Sequence, residues 1–172
     1  MLKNTLIICV TIVAFAIYFD RLHPKIIHQD IGDIDKIVVE KQQRILSLFR
    51  GGKHIKSYPI SLGREPIGHK TQEGDGKTPE GTYFIDWVHP NSSYYKAIRV
   101  SYPNATDKQN AAAMGVDPGG DIMIHGMPNG FSWLYPSFSK TDWTEGCIAV
   151  SNRAMDEIES SVKIGTKIII KP

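Results

Sequence analysis

The sequence predicts a mostly β domain with one helix near its C-terminal end, set behind an apolar N-terminal segment. Three observations lead there. Short β-branched runs recur from Ile37-Val38-Val39 to Ile168-Ile169-Ile170, separated by clusters of turn-forming residues. A sustained helical period appears in residues 152–162. The 172 residues, 41% apolar and 22% charged, suit one globular domain with a core of its own.

Residues 1–19 open with Lys3 and then run from Thr5 to Phe19 without a charge, a start that addresses the chain to a membrane. As a helix, that run spans about 22 Å, against a hydrocarbon core of ~30 Å. Lys3 and Tyr18 at its ends favour a signal-anchor, while Ala14-Phe15-Ala16 fits a cleaved signal peptide. Residues 20–34 keep no period and read as a linker, so the folded domain is 35–172.

Within the domain, Ile37-Val38-Val39 opens a meander. Residues 44–49 form the next strand, and Arg50-Gly51-Gly52-Lys53 turns the chain back into residues 55–62. Pro59 has no amide hydrogen, which puts that strand at an edge or a bulge. Residues 63–81 are a long loop with the turn-rich block Gly74-Asp75-Gly76-Lys77-Thr78-Pro79-Glu80-Gly81. Residues 82–88 and 97–102 are two further strands. A second loop, 104–120, has room for one or two helical turns at 108–114. Residues 121–125 are a buried strand delivering His125. Residues 128–142, with Phe131, Trp133, Tyr135 and Phe138, form an aromatic flap or wall. Met155, Ile158 and Val162 share one face of the helix, which Ser151 or Asn152 caps and Gly165 ends. Residues 166–170 close the domain as a strand.

Composition also narrows function. A formal net charge of +2 from scattered lysines and arginines argues against nucleic acid. Of the two cysteines, Cys9 lies in the apolar N-terminal segment, so Cys147 is a lone thiol with no disulfide framework and no CxxC zinc pattern. Cys147 follows Gly146 at the head of a β-branched run, and His125 ends another such run, followed by Gly126. A free thiol is mostly protonated at neutral pH, and a neighbouring imidazole can take its proton and stabilise the thiolate. The competing interpretations are a buried structural cysteine beside an unrelated histidine, or a metal site joining both to His54, His69 or His89.

Ser61-Leu62-Gly63, Thr78-Pro79-Glu80-Gly81, Val100-Ser101-Tyr102-Pro103, His125-Gly126 and Thr144-Glu145-Gly146-Cys147 occur in that order. In this pattern residues 35–172 resemble the L,D-transpeptidase catalytic domain of the YkuD type. The resemblance implies a β-sandwich of two mixed sheets with one C-terminal-region helix, behind the N-terminal membrane-anchor helix. It implies no cofactor and a bacterial cell-envelope enzyme at the periplasmic face, anchored by a single N-terminal span. Its substrates are peptidoglycan stem peptides, with an envelope lipoprotein as a further partner. Cys147 is then the nucleophile, His125 the general base, and Gly126 the residue whose carbonyl orients the imidazole. The amides of Glu145, Gly146 and Cys147 are the oxyanion donors. From their own positions in the sequence, Trp143, Tyr102 and Thr144, with Lys77 and Arg99, are candidates to line a substrate groove, against the plainer reading of a charged or aromatic face. Glu145 replaces the family's commoner histidine and puts a carboxylate near the thiol, while Ala149 stands where a polar residue is usual. The alternatives are a hydrolase of the same fold, cleaving stems or lipoprotein links, and a non-catalytic wall-binding module.

Overall fold

In the computed structural model, which describes residues 31–89 and 92–172, eight strands form one continuous sheet in the order β3-β2-β1-β8-β4-β5-β6-β7. Their ranges are β1 Ile34–Glu40, β2 Ile45–Arg50, β3 Lys53–Pro59, β4 Gly81–His89, β5 Ala97–Val100, β6 Met123–His125, β7 Ile148–Ala149 and β8 Val162–Lys171. The expected sandwich of two mixed sheets is therefore one mixed sheet that curls. The curl starts at β4, which pairs with β8 over Gly81–Phe84 and with β5 from Ile85 onward, through a bulge between Ile85 and Trp87. It ends where residues just past β3 return to β7. Ser61 and Ala149 exchange both amide–carbonyl bonds at 2.9 and 2.8 Å, and Gly63 bridges Thr144. Ile37, Leu48, Ile85, Ile98, Ile124, Ile148 and Ile168 fill the enclosed core.

Three α-helices are described, not one: α1 Ala105–Met114, α2 Tyr135–Phe138 and α3 Asn152–Ser161, with a 3₁₀ turn at Ser132–Leu134. Helix α1 is longer than its sequence pattern predicts. A capping box starts it, with Asn104 Oδ1 accepting from the Asp107 amide at 3.0 Å and Asp107 Oδ2 accepting from the Asn104 amide at 2.9 Å. Gly115, at φ 70°, ends it. Gly165 does not separate α3 from the last strand: α3 stops at Ser161, and Gly165 lies within β8. The N-terminal anchor and the linker up to residue 30 lie outside the described residues. Among the described residues, no helix is long and apolar enough to cross a membrane.

Helix α3 contacts β5, β6 and β8 and reaches β3 through Glu157. Its buried carboxylate accepts from the Tyr58 hydroxyl at 2.8 Å and pairs with Lys56. Burial alone would raise the Glu157 pKa, but the bonds from Lys56 and Tyr58 and the charges of Lys56 and Arg153 outweigh it and leave it below 4.5. This stabilisation is full above the ordinary carboxylate pKa and is lost as pH falls through the lower folded value. Glu157→Ala is expected to cost about 1–3 kcal/mol, lowering Tm by about 3–10 °C at pH 7. The gap should narrow as melting is repeated below pH 4.

Candidate active site

Strand β6 alternates across the sheet: Ile124 points into the core, while Met123 and His125 lie on the opposite face. Strand β7 runs parallel to it, with Ile124 opposite Ile148 and His125 opposite Ala149. One step back in that register, Cys147 stands beside Met123. His125 and Cys147 are thus diagonal neighbours on one face of adjoining strands. The residues directly opposite His125 are Ala97 and Ala149, small enough to leave room for the imidazole.

Three contacts hold that ring, which is only 3% exposed. Nδ1 lies 2.7 Å from the Gly126 carbonyl oxygen. A carbonyl only accepts, so Nδ1 carries the hydrogen and Nε2 keeps its lone pair in the neutral ring. Tyr94 lies against the imidazole at 4.1 Å between centroids, and Trp143 meets it edge-on at 5.8 Å. Burial lowers the His125 pKa below 6.5, against the pull of the Gly126 carbonyl. The ring is therefore neutral at pH 7. Gly126 has no space for a side chain: a Cβ there would fall 2.6 Å from the Tyr95 carbonyl oxygen and 2.7 Å from Asn152 Oδ1.

A hydroxyl shapes the turn that carries Cys147. Thr144 Oγ1 donates to the Cys147 carbonyl at 2.8 Å and accepts from the Gly146 amide at 3.1 Å. Gly146, at φ 131°, lies so close to the 63–81 loop that a Cβ would meet the Lys77 carbonyl at 2.6 Å. Within that loop, Asp75 accepts from the Lys77, Thr71 and Gln72 amides and from buried Lys70. Lys41, also buried, ties the loop to the end of β1 through Gly68 O, Thr78 O and Glu80. The half-buried Cys147 thiol donates to the Asp121 carbonyl at 3.6 Å, not to His125. Burial raises its pKa; the Met123 amide and Lys70 oppose this, the Asp121 carboxylate adds to it, and the net result is above the ordinary value. At neutral pH the pair is thiol and neutral imidazole, an arrangement in which the ring's Nε2 can accept a proton from a thiol.

Several expected residues are placed differently. Tyr102 is 5% exposed and donates to the Pro118 carbonyl at 2.9 Å, against Tyr83. It packs the core. Thr144 is likewise buried and fixes the turn that carries Cys147. The Gly146 amide is engaged by Thr144, which leaves the Glu145 and Cys147 amides of the three named donors. The Glu145 carboxylate does not act on the thiol: it is exposed and pairs with Arg64 at 2.7 Å. Trp143 sits beside His125 as described. Tyr94 had no sequence signal, because it follows the turn-rich Pro90-Asn91-Ser92-Ser93 run with no strand period around it. Among the described residues, no group of three or more His, Cys, Asp or Glu side chains could hold a metal ion.

A family model, the L,D-transpeptidase catalytic domain YkuD, matches residues 34–170. The chain belongs to the YkuD family. Among curated proteins, it is 34% identical over 137 residues to YafK of Escherichia coli (strain K12), which bears an L,D-transpeptidase name; the match covers 76% of this chain and 48% of YafK. Among solved structures, it is similar to the helical cell shape determining protein Pgp2 of Campylobacter jejuni. There the TM-score is 0.63 at 27% identity, over 81% of this chain and 48% of Pgp2. An L,D-transpeptidase from Mycobacterium smegmatis shares the fold, with a TM-score of 0.53 at 18% identity over 80% of this chain and 58% of that one. This YkuD-type chain spans about half the length of the curated relatives it matches.

Proposed function

We propose that the domain is a cysteine acyl-transferase of the L,D-transpeptidase type, acting on peptidoglycan tetrapeptide stems at the periplasmic face of a bacterial envelope. The observation that carries this reading is the pairing of Cys147 with His125 on one face of adjoining strands, the ring fixed by Gly126 so that Nε2 bears the lone pair. In the forward step the Cys147 proton passes to Nε2 as sulfur bonds to the carbonyl carbon of diaminopimelate. The amides of Glu145 and Cys147 meet the developing oxyanion. The C–N bond to the terminal D-alanine then breaks, and the imidazolium returns its proton to the departing amine. An amine of a second stem, or of an envelope lipoprotein, attacks the thioester in turn and frees the thiol. Trp143 supports the base and faces the substrate, while residues 1–19 hold the domain at the membrane.

Incubation with tetrapeptide-stem muropeptides, followed by mass analysis of the products, tests this. Crosslinked dimers with release of D-alanine are the expected result. Shortened stems or freed lipoprotein alone would make water the acceptor and the domain a hydrolase. Unchanged stems, with no acyl adduct on Cys147 after carbapenem treatment, would overturn the enzyme reading in favour of a wall-binding module.

A further inference from the structure

The face that carries Cys147 continues across β6, β5 and β4. Register places Arg99 opposite Met123 on one side and opposite Trp87 on the other. Arg99 lies between the inward-facing Ile98 and Val100, both buried, so it shares the outer face with Met123 and Cys147. Two strand spacings of about 4.8 Å put its backbone roughly 10 Å from that of the nucleophile.

We propose that Arg99 anchors a carboxylate of the acyl-donor peptide; this rests on the transferase reading above. The guanidinium is held ready for such a ligand. Its Nε and Nη2 donate to Asp86 at 2.9 and 3.3 Å, and its carbon lies 5.4 Å from the centre of the Trp87 ring. This fixes the plane of the fork and turns Nη1 toward the Cys147 side. There, among the described residues, Nη1 meets the carboxylate of Asp121 at 3.9 Å, beyond hydrogen-bonding distance. Asp121 is 80% exposed, so it holds this place loosely, and an incoming carboxylate can take it with two parallel bonds. At this distance the ligand is a carboxylate on the donor stem near the reacting residue: that of the glutamate, or the free one of diaminopimelate.

Arg99→Gln, Arg99→Lys and the wild-type chain, assayed on tetrapeptide stems, decide the matter. Arg99→Gln is expected to raise KM about 10- to 100-fold, with kcat within about threefold. Arg99→Lys should be intermediate, because a single ammonium cannot replace a fork. Alkylation of Cys147 by the uncharged reagent iodoacetamide should be unchanged in both variants. Stems amidated at the glutamate or at the diaminopimelate carboxylate identify the ligand: wild-type KM should rise on one of them, and Arg99→Gln should not distinguish it from the free stem. Equal KM for Arg99→Gln and wild type would overturn the proposal. So would a fall in kcat and in alkylation rate together, which would make Arg99 a support of the fold. If the wild-type chain turns over no stem, the transferase reading fails by itself, and direct stem binding then decides Arg99: weaker binding by Arg99→Gln supports the anchor, and equal binding overturns it.

Discussion

Cys147→Ala is expected to abolish turnover, by at least about 10⁴-fold, and to prevent any carbapenem adduct, while Tm stays within about 2 °C of wild type. The geometry separates these outcomes. The sulfur's hydrogen bonds are weak ones: it donates to the Asp121 carbonyl at 3.6 Å and accepts from the Met123 amide, and such sulfur contacts contribute little to folding. The turn around it is held by other atoms: the Thr144 hydroxyl on the Cys147 carbonyl and the Gly146 amide, and the Ser61–Ala149 backbone pair. Removing the sulfur therefore removes the proposed nucleophile and leaves the scaffold. Retained turnover in a variant of unchanged Tm would mean that the chemistry lies elsewhere.

Replacing His125 with glutamine should lower kcat/KM about 10²- to 10⁴-fold at pH 7 and change the shape of the pH profile. In the wild type, burial lowers the imidazole pKa below 6.5 and raises the thiol pKa above its ordinary value. The active form, neutral ring beside neutral thiol, holds between those limits. kcat/KM should be flat from near pH 6.5 to alkaline pH, with an acid limb where the ring takes up a proton. Without the ring, the reaction depends on the spontaneous thiolate fraction. The variant's rate should then climb about tenfold per pH unit across the neutral range, and the acid limb assigned to the imidazole should vanish. A wild-type profile that already climbs this way would show that His125 is not the base.

The strands were legible because they alternate. In β4, Tyr83 and Ile85 face inward while Thr82, Phe84 and Asp86 face out, a period of two that survives in the bare sequence. The His125–Gly126 and Gly146–Cys147 pairs stood out by residue type and by their places at the ends of short apolar runs. Helix α1 was mostly hidden because its residues, apart from exposed Met114, are alanine or polar and only Asp107 and Ala111 are buried. Its surviving signal was the pair Asn104 and Asp107 with Gly115 beyond. The backbone partners of Tyr102 and Thr144 were hidden for another reason. A hydroxyl near a nucleophile in sequence serves substrate or backbone equally well, and only the Pro118 and Cys147 carbonyls decide which. Buried lysines are invisible to pattern for the same reason, since Lys41 and Lys70 owe their burial to carbonyls and carboxylates supplied from a loop.

The closure of the curled sheet through Ser61, Gly63, Thr144 and Ala149 also bears on the order in which the molecule assembles. β7 is two residues long, and its partners are drawn from β6 and from a segment far earlier in the chain. Such non-local pairings form late and slowly, after the intervening chain has been brought to order. The β6–β7 pairing brings the imidazole alongside, and the seam at Ser61 holds the far edge of the same short strand, so one two-residue strand serves both the base and the closure.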